Sequence, residues 1–280
     1  MKPNQPAIVG PYRCGTNEPL LLIAGPCVLQ RETSLQIAVR LKEIVDELAK
    51  EGYPTQLVFK GSFDKANRTS VDNWRGLGLD AGLALLREIK ETTGLPVTTD
   101  IHETYQAAPT GEVVDLVQVP AFLARQTDLL AAAAKTGKAV HVKKGQFMAP
   151  RDMEHVVGKL MAFGARNILL GERGTFFGYG ALVNDFRGLV VMRRTGAPVV
   201  FDATHSVQEP SAQNGSSGGK REYVAPLARA AAAVGIDALF LETHFNPAES
   251  PCDGPNMLPL DQIPDLLRTV VRIRRAVGQV

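Results

Sequence analysis

The sequence predicts an α/β protein, a (β/α)8 TIM barrel made by one domain with a short N-terminal extension. Two observations carry that expectation: eight short apolar runs spaced along the chain, and segments of helical spacing between them. A third concerns the kind of strand. The runs lack strict alternation of apolar and polar residues, as expected of parallel strands buried on both faces.

In order, the runs are Leu20–Ala24, Gln56–Lys60, Pro96–Asp100, Asp115–Val119, Lys138–Lys143, Asn167–Gly171, Pro198–Asp202 and Asp237–Glu242. Residues 1–19 precede the first and are read as an extension that plugs one end of the barrel formed by residues 20–280. Leu41, Ile44, Val45 and Leu48 follow the helical i, i+3, i+4, i+7 pattern, and Leu266, Val270, Ile273 and Val277 close the chain similarly. Thr33–Ser34 and Asp128 are candidate helix starts, and Gly52, Gly94, Gly137 and Gly164 candidate stops. Strand then helix, eight times over, fits a closed barrel. A doubly wound open sheet is the alternative, because periodicity alone does not show closure. The Gly/Ser-rich stretch Glu209–Arg221 is expected to be neither helix nor strand, but a lid or a disordered insert.

The chain has 280 residues, 45% hydrophobic and 21% charged, so a large core needs no disulfides. Net charge is +2 with no basic stripe, which argues against a nucleic-acid binder and makes any anion binding local. The cysteines are Cys14, Cys27 and Cys252, an odd and sparse set that suits a reducing cytoplasm. There is no signal-peptide pattern, and Leu20–Ala24 is too short to span a bilayer, so a soluble cytoplasmic protein without a membrane partner is expected.

Active sites of such barrels lie at the C-terminal ends of the strands. There the runs end in Cys27; in Lys60, Ser62, Lys65, Asn67 and Arg68; in Asp100 and His102; in Arg125; in Lys143 and Lys144; in Glu172 and Arg173; in Asp202 and His205; and in Glu242 and His244. Lys60, Lys65, Arg68, Arg125, Lys143 and Arg173 in one mouth would repel one another unless anions were bound, which suggests phosphate or carboxylate substrates. Any one of them alone could be a solvated surface charge. Cys27, His205, Glu242 and Asp253 together would suit a borderline divalent ion such as Fe²⁺ or Zn²⁺. Their scatter in sequence makes that a weak signal, and Cys27 alone reads first as a small buried hydrophobe. Cys252 and His244 are rival ligands. Gly174–Gly180 does not match a dinucleotide fingerprint. Trp74 and Phe122 could be substrate walls, with core packing as the default for an aromatic, and Arg268, Arg272, Arg274 and Arg275 are read as a solvated helix face.

The segment Phe59-Lys60-Gly61-Ser62-Phe63-Asp64-Lys65-Ala66-Asn67-Arg68 closely resembles the signature of the 3-deoxy-D-manno-octulosonate 8-phosphate synthases. Thr99–Glu103, Pro120–Asp128, Val142–Phe147, Glu172–Gly174 and Asp202–His205 match the same family in the same order, over about residues 20–278. The resemblance implies a barrel, typically a homotetramer, that condenses phosphoenolpyruvate with arabinose 5-phosphate in making the inner-core sugar of lipopolysaccharide. It implies that Lys60, Ser62, Lys143 and Arg173 hold phosphoenolpyruvate, with Lys65 near both substrates. Asn67, Arg68 and Thr69 would bind the sugar phosphate, Arg125 would reach it from a neighbouring subunit, and Gln118, Asp100 and His102 would line the site. Thr69 replaces the family's serine and keeps the hydroxyl, and His141 stands where many members have Asn.

Metal-dependent members carry Cys at the position of Cys27, and metal-independent members carry Asn. The resemblance therefore implies a divalent ion (Fe, Zn or Mn) on Cys27, His205, Glu242 and Asp253, although Cys252-Asp253-Gly254-Pro255 is more similar to the Asn-type loop. Lys65 is a candidate acid for the aldehyde oxygen and His205 a candidate proton shuttle. Three rivals stand beside this reading. They are a related synthase using erythrose 4-phosphate, a Schiff-base aldolase using Lys143 or Lys144, and a sugar-phosphate sensor without activity.

Overall fold

Each of the eight apolar runs is a strand in the computed structural model, with ends within two residues of those expected. Residues 5–68, 70–213 and 216–280 are described; side chains are not described for 210–213, 216 and 217. The strands are β1 (Leu20–Gly25), β2 (Thr55–Lys60), β3 (Val97–Asp100), β4 (Leu116–Val119), β5 (Ala139–Lys143), β6 (Ile168–Glu172), β7 (Val199–Asp202) and β8 (Ala238–His244). All pair in parallel with their sequence neighbours, and β8 pairs with both β7 and β1. That last pairing closes the sheet and removes the open-sheet alternative.

The helices between them are α1 (Arg31–Lys50), α2 (Leu79–Thr93), α3 (Ala107–Val113), α4 (Thr127–Lys135), α5 (Met153–Ala162), α6 (Arg187–Arg193), α7 (Val224–Val234) and α8 (Ile263–Ala276). Helix α1 buries Ile37, Leu41, Ile44, Val45 and Leu48 along one stripe. It begins at Arg31, ahead of the expected Thr33–Ser34 start, because the Ser34 hydroxyl accepts the Gln30 N–H from within the first turn. Gly94 ends α2 with a φ of 69°, a backbone shape that glycine adopts without strain. Helix α8 differs from expectation in two places. Val277 lies beyond its end and is exposed. Arg274 is fully buried, donating to the Glu18 carbonyl at 3.2 Å, and so is no part of a solvated face.

Residues alternate across a strand, and this sorts the barrel interior into layers. Toward the N-terminal ends lie Leu21, Ile23, Val58, Leu116, Ala139, Leu169, Val200 and Ala238, packed with Ala7, Val9 and Cys14 of an antiparallel hairpin, Ala7–Val9 with Tyr12–Cys14. Two residues further along the same inward face come Lys60 after Val58, Gln118 after Leu116 and Asp202 after Val200. Lys143 and Glu242 stand four residues beyond Ala139 and Ala238. Outward residues such as Leu22, Leu57, Val117 and Val140 pack in the cluster formed with the helices. An apolar floor therefore carries a polar mouth.

The Gly/Ser stretch overturns its expectation. Gln208–Gln213 and Ser216–Gly219 are antiparallel strands, in register at Gln208 with Gly219 and Glu209 with Gly218. A ladder uses backbone groups, so poor side-chain propensity does not prevent it. Asn214 and Gly215 lie outside the described residues. A second hairpin joins Thr175–Gly178 to Ala181–Val183. Among the described residues, no helix is long and apolar enough to cross a membrane.

Candidate active site

A cavity of about 250 Å³ opens at the C-terminal ends of the strands. Eleven expected site residues line it: Lys60, Ser62, Lys65, Asn67, Asp100, His102, Gln118, Lys143, Arg173, His205 and Glu242. Ala66, Glu103, Gln146 and the segment Pro120–Leu123 complete the wall. Phe122 is half exposed at this wall, and Trp74 is also substantially exposed, so neither is core. Cys27 and Asp253 lie beside the cavity, joined by a 2.9 Å contact from Sγ to Oδ2. Arg68 is not in the lining; its guanidinium donates to the carbonyls of Trp74 and Pro251. Arg125 is exposed and also outside the lining. Thr69 lies outside the described residues.

Local geometry explains how the strand ends reach one another. At Gly25, the last residue of β1, a Cβ would come within 2.0 Å of the Lys60 carbonyl oxygen. Only glycine allows that approach. It brings the turn after β1 over the end of β2, where Lys60 Nζ donates to the Cys27 carbonyl at 2.6 Å. Ser62 Oγ donates to Asp100 Oδ1, whose other oxygen meets His102 Nε2 at 3.0 Å. His102 packs edge-on against Phe63.

The expected repulsion among cations is offset inside the site itself. Lys60 pairs with Glu242 at 2.9 Å, Lys65 with Asp253 at 3.2 Å and Lys143 with Asp202 at 2.5 Å. Arg173 is the exception. Among the described residues no carboxylate is within ion-pair distance of it; Nη2 donates to Gln208 Oε1 at 2.7 Å, and the buried Nη1 has no partner. Burial disfavours the charge and draws the pKa of Arg173 down, but guanidinium stays protonated in proteins. The unsatisfied positive charge of the cavity is therefore concentrated at Arg173.

Burial raises the pKa of Asp100 and Asp202, but nearby cations outweigh it. His102, Lys60 and Lys65 hold Asp100 well below the usual carboxylate range, and His205 with Lys143 does the same for Asp202. Burial draws the Lys143 ammonium down, against the pull of Asp202. Its Nζ also sits 3.6 Å from the centre of the Phe240 ring. Lys144, the neighbouring candidate, does not line the cavity: it is buried against Thr175 Oγ1 at 3.0 Å and Glu172 at 3.5 Å.

His141 faces inward on β5 next to Gln118 of β4 and is fully buried, with neither ring nitrogen partnered among the described residues. Burial lowers its pKa from 6.5 to about 3. Between those values the unfolded chain takes up a proton that the folded chain refuses, so folding loses stability as pH falls through this window. The loss approaches about 1.4 kcal/mol per pH unit. His141→Asn is expected to narrow the difference in urea midpoint between pH 7 and pH 4.5. An unchanged difference would show that the imidazole titrates normally.

Donor chemistry at the second cluster fits a divalent cation. Donor atoms of His205, Glu242 and Asp253 lie within 4.8 Å of one another, as do those of Cys27, Cys252 and Asp253. Asp253 belongs to both groups. His205 Nδ1 is held by Asp202 Oδ2 at 2.7 Å, which leaves Nε2 facing Glu242 at 3.5 Å. A carboxylate behind a ligating imidazole fixes its tautomer and orientation. Glu242 Oε2 is buried without a hydrogen-bond partner among the described residues, as a ligand atom would be. The rival His244 is in neither group; its Nδ1 accepts the Asn246 N–H.

Sequence reasoning passed over Gln208 and the pairing role of Asp202. The position of Asp202 at the inward end of β7 was a usable signal; Gln208, at the edge of the Gly/Ser stretch, offered none.

Comparison with known proteins agrees with this geometry. The profile of the DAHP synthetase I family matches residues 4–278. A 2-dehydro-3-deoxyphosphooctonate aldolase of Geobacter metallireducens is 56% identical over 266 residues, 95% of this chain and 96% of that protein. Proteins of the same name from Synechococcus and Cyanothece are 55% and 56% identical, covering 96% and 94% of this chain and 93% and 95% of their own lengths. The chain belongs to the DAHP synthetase I family, in the branch of the 2-dehydro-3-deoxyphosphooctonate aldolases.

Proposed function

We propose that this enzyme condenses phosphoenolpyruvate with D-arabinose 5-phosphate and water, giving 3-deoxy-D-manno-octulosonate 8-phosphate and phosphate, for the inner-core sugar of lipopolysaccharide. It works in the cytoplasm as a homotetramer. The observation that carries the reading is one cavity holding three paired lysines and the unpaired Arg173, in a chain more than half identical to enzymes of that name.

Lys60, Ser62, Lys143 and Arg173 hold phosphoenolpyruvate, and Lys65 lies between the two substrates. The C3 carbon of the enol attacks the aldehyde carbon and a carbon–carbon bond forms. Lys65 gives the aldehyde oxygen its proton. Water adds at C2 and loses a proton; His205 is the group that shuttles it only where its Nε2 does not hold the ion. The hemiketal phosphate then breaks the bond between C2 and the phosphate oxygen, the C2 hydroxyl passes its proton to the leaving phosphate, and the ketone remains. Asp100, His102 and Gln118 orient the reacting carbons from the wall. Holding two anions side by side at fixed distance is the main task, and preorganised cations perform it.

Asn67, Arg68 and Thr69 take the sugar phosphate, and Arg125 reaches it from a neighbouring subunit. Arg68 exchanges its contacts with the Trp74 and Pro251 carbonyls to do so. Cys27, His205, Glu242 and Asp253 hold a divalent ion (Fe, Zn or Mn). When bound, such an ion supplies Lewis acidity at the aldehyde oxygen or acidifies a water.

Mixing both substrates with the enzyme tests the proposal. Phosphate release is expected with arabinose 5-phosphate and far less with erythrose 4-phosphate, and borohydride should trap no adduct on Lys143. Equal turnover of both aldehydes, or a trapped lysine adduct, would overturn it.

A further inference from the structure

The geometry points to Gln208 as a positioning residue that couples the anion clamp Arg173 to the metal-ligand carboxylate Asp253. This rests on the functional reading above and deepens it. The Gln208 side chain is buried between the two groups. Its Oε1 accepts from Arg173 Nη2 at 2.7 Å, and its Nε2 donates to Asp253 Oδ1 at 3.0 Å. Only one orientation of the amide serves both. A flipped amide would turn its NH₂ toward the guanidinium and its oxygen toward the carboxylate.

Both partners depend on this contact. Arg173 has no carboxylate partner among the described residues, so Gln208 is the group that fixes its guanidinium. Asp253 has a φ of 53°, unusual for a residue with a side chain, and its carbonyl accepts from the Asn256 and Met257 N–H groups. Its backbone is thus set by its own turn, while its carboxylate is aimed by Lys65, Cys27 and Gln208.

The backbone of Gln208 is anchored to the same turn. Gln208 pairs with Gly219, and a Cβ there would lie 1.3 Å from Asn256 Oδ1, so the hairpin packs directly on the Asp253 loop. Arg221 Nη2 donates to the Gly254 carbonyl at 2.6 Å. An anion that draws Arg173 into place therefore orders Gln208, and through it the Asp253 carboxylate. A cation at Asp253 orders Arg173 in return. Such coupling is reciprocal by thermodynamic necessity.

The test is calorimetric and needs no turnover. Phosphoenolpyruvate is titrated into the metal-free protein and into the Mn²⁺-loaded protein, and Mn²⁺ into the protein with and without phosphoenolpyruvate. In the native protein each ligand should tighten the other by about tenfold. In Gln208→Met, which fills the space without polar contacts, the ratio should fall toward unity while each ligand still binds alone. Gln208→Asn keeps an amide too short to span both groups and should behave alike, and melting temperatures confirm that both variants are folded. A coupling ratio unchanged in both variants overturns the inference and leaves the functional reading standing. Failure of the native protein to bind phosphoenolpyruvate at all would overturn that reading, failure to bind Mn²⁺ would overturn its metal site alone, and this inference falls with either.

Discussion

Replacing Arg173 by methionine is expected to lower kcat/KM for phosphoenolpyruvate by about 10²–10³-fold while the protein stays folded. The size follows from position. Arg173 is buried in the cavity wall, where a charge-assisted contact to a bound anion is worth far more than in water. The clean outcome follows from its partners. Removing Lys60 or Lys143 would take the ammonium away from the buried carboxylate of Glu242 or Asp202, leaving His205 as the remaining partner of each, and would cost about 3 kcal/mol or more in stability. Removing Arg173 leaves only the Gln208 amide oxygen without its donor. Arg173→Lys should recover part of the loss, since it keeps the charge but not the two-pronged contact. Activity within tenfold of the native enzyme in Arg173→Met, with KM unmoved, would show that the anion is held elsewhere.

Exhaustive chelation should abolish turnover, and Fe²⁺, Mn²⁺ or Zn²⁺ should restore it. The donors, the Cys27 thiol in one group and the His205 imidazole and Glu242 carboxylate in the other, with Asp253 common to both, are of the kinds that a borderline divalent ion favours. Stabilisation by several kcal/mol at the reacting oxygen amounts to roughly 10³ in rate. Cys27→Ala should weaken binding of the ion, measured by competition with a chelator. Burial also pushes the Cys27 thiol well above its usual pKa, so loading must displace a proton and should weaken as pH falls. Full turnover by a protein verified as metal-free would refute the dependence.

Fold and cavity were legible in the sequence because both depend on short-range patterns. The runs of Val, Ile and Leu mark strands buried on both faces, and strand periodicity with parallel direction sends the inward polar residues at their ends to one mouth. Lys60, Asp100, Lys143, Glu242 and Arg173 could be named from that rule, and the cavity gathers all five. The expected repulsion among these cations is offset in part by carboxylates that the expectation did not count. Lys60 finds Glu242 at a separation of 182 residues and Lys143 finds Asp202 at 59. Spacing in the chain carries no trace of such partners.

What the sequence determined by itself was the repeat of strand and helix, the apolar core and the identity of the groups at the strand ends. The tertiary structure alone decided closure through β8, the pairing of each lysine with its carboxylate, the burial of Arg274 and the placing of Gln208 between Arg173 and Asp253. Periodicity is a local property of the chain. Which charge meets which depends on how distant segments come together when the barrel closes, and only the folded backbone sets those distances.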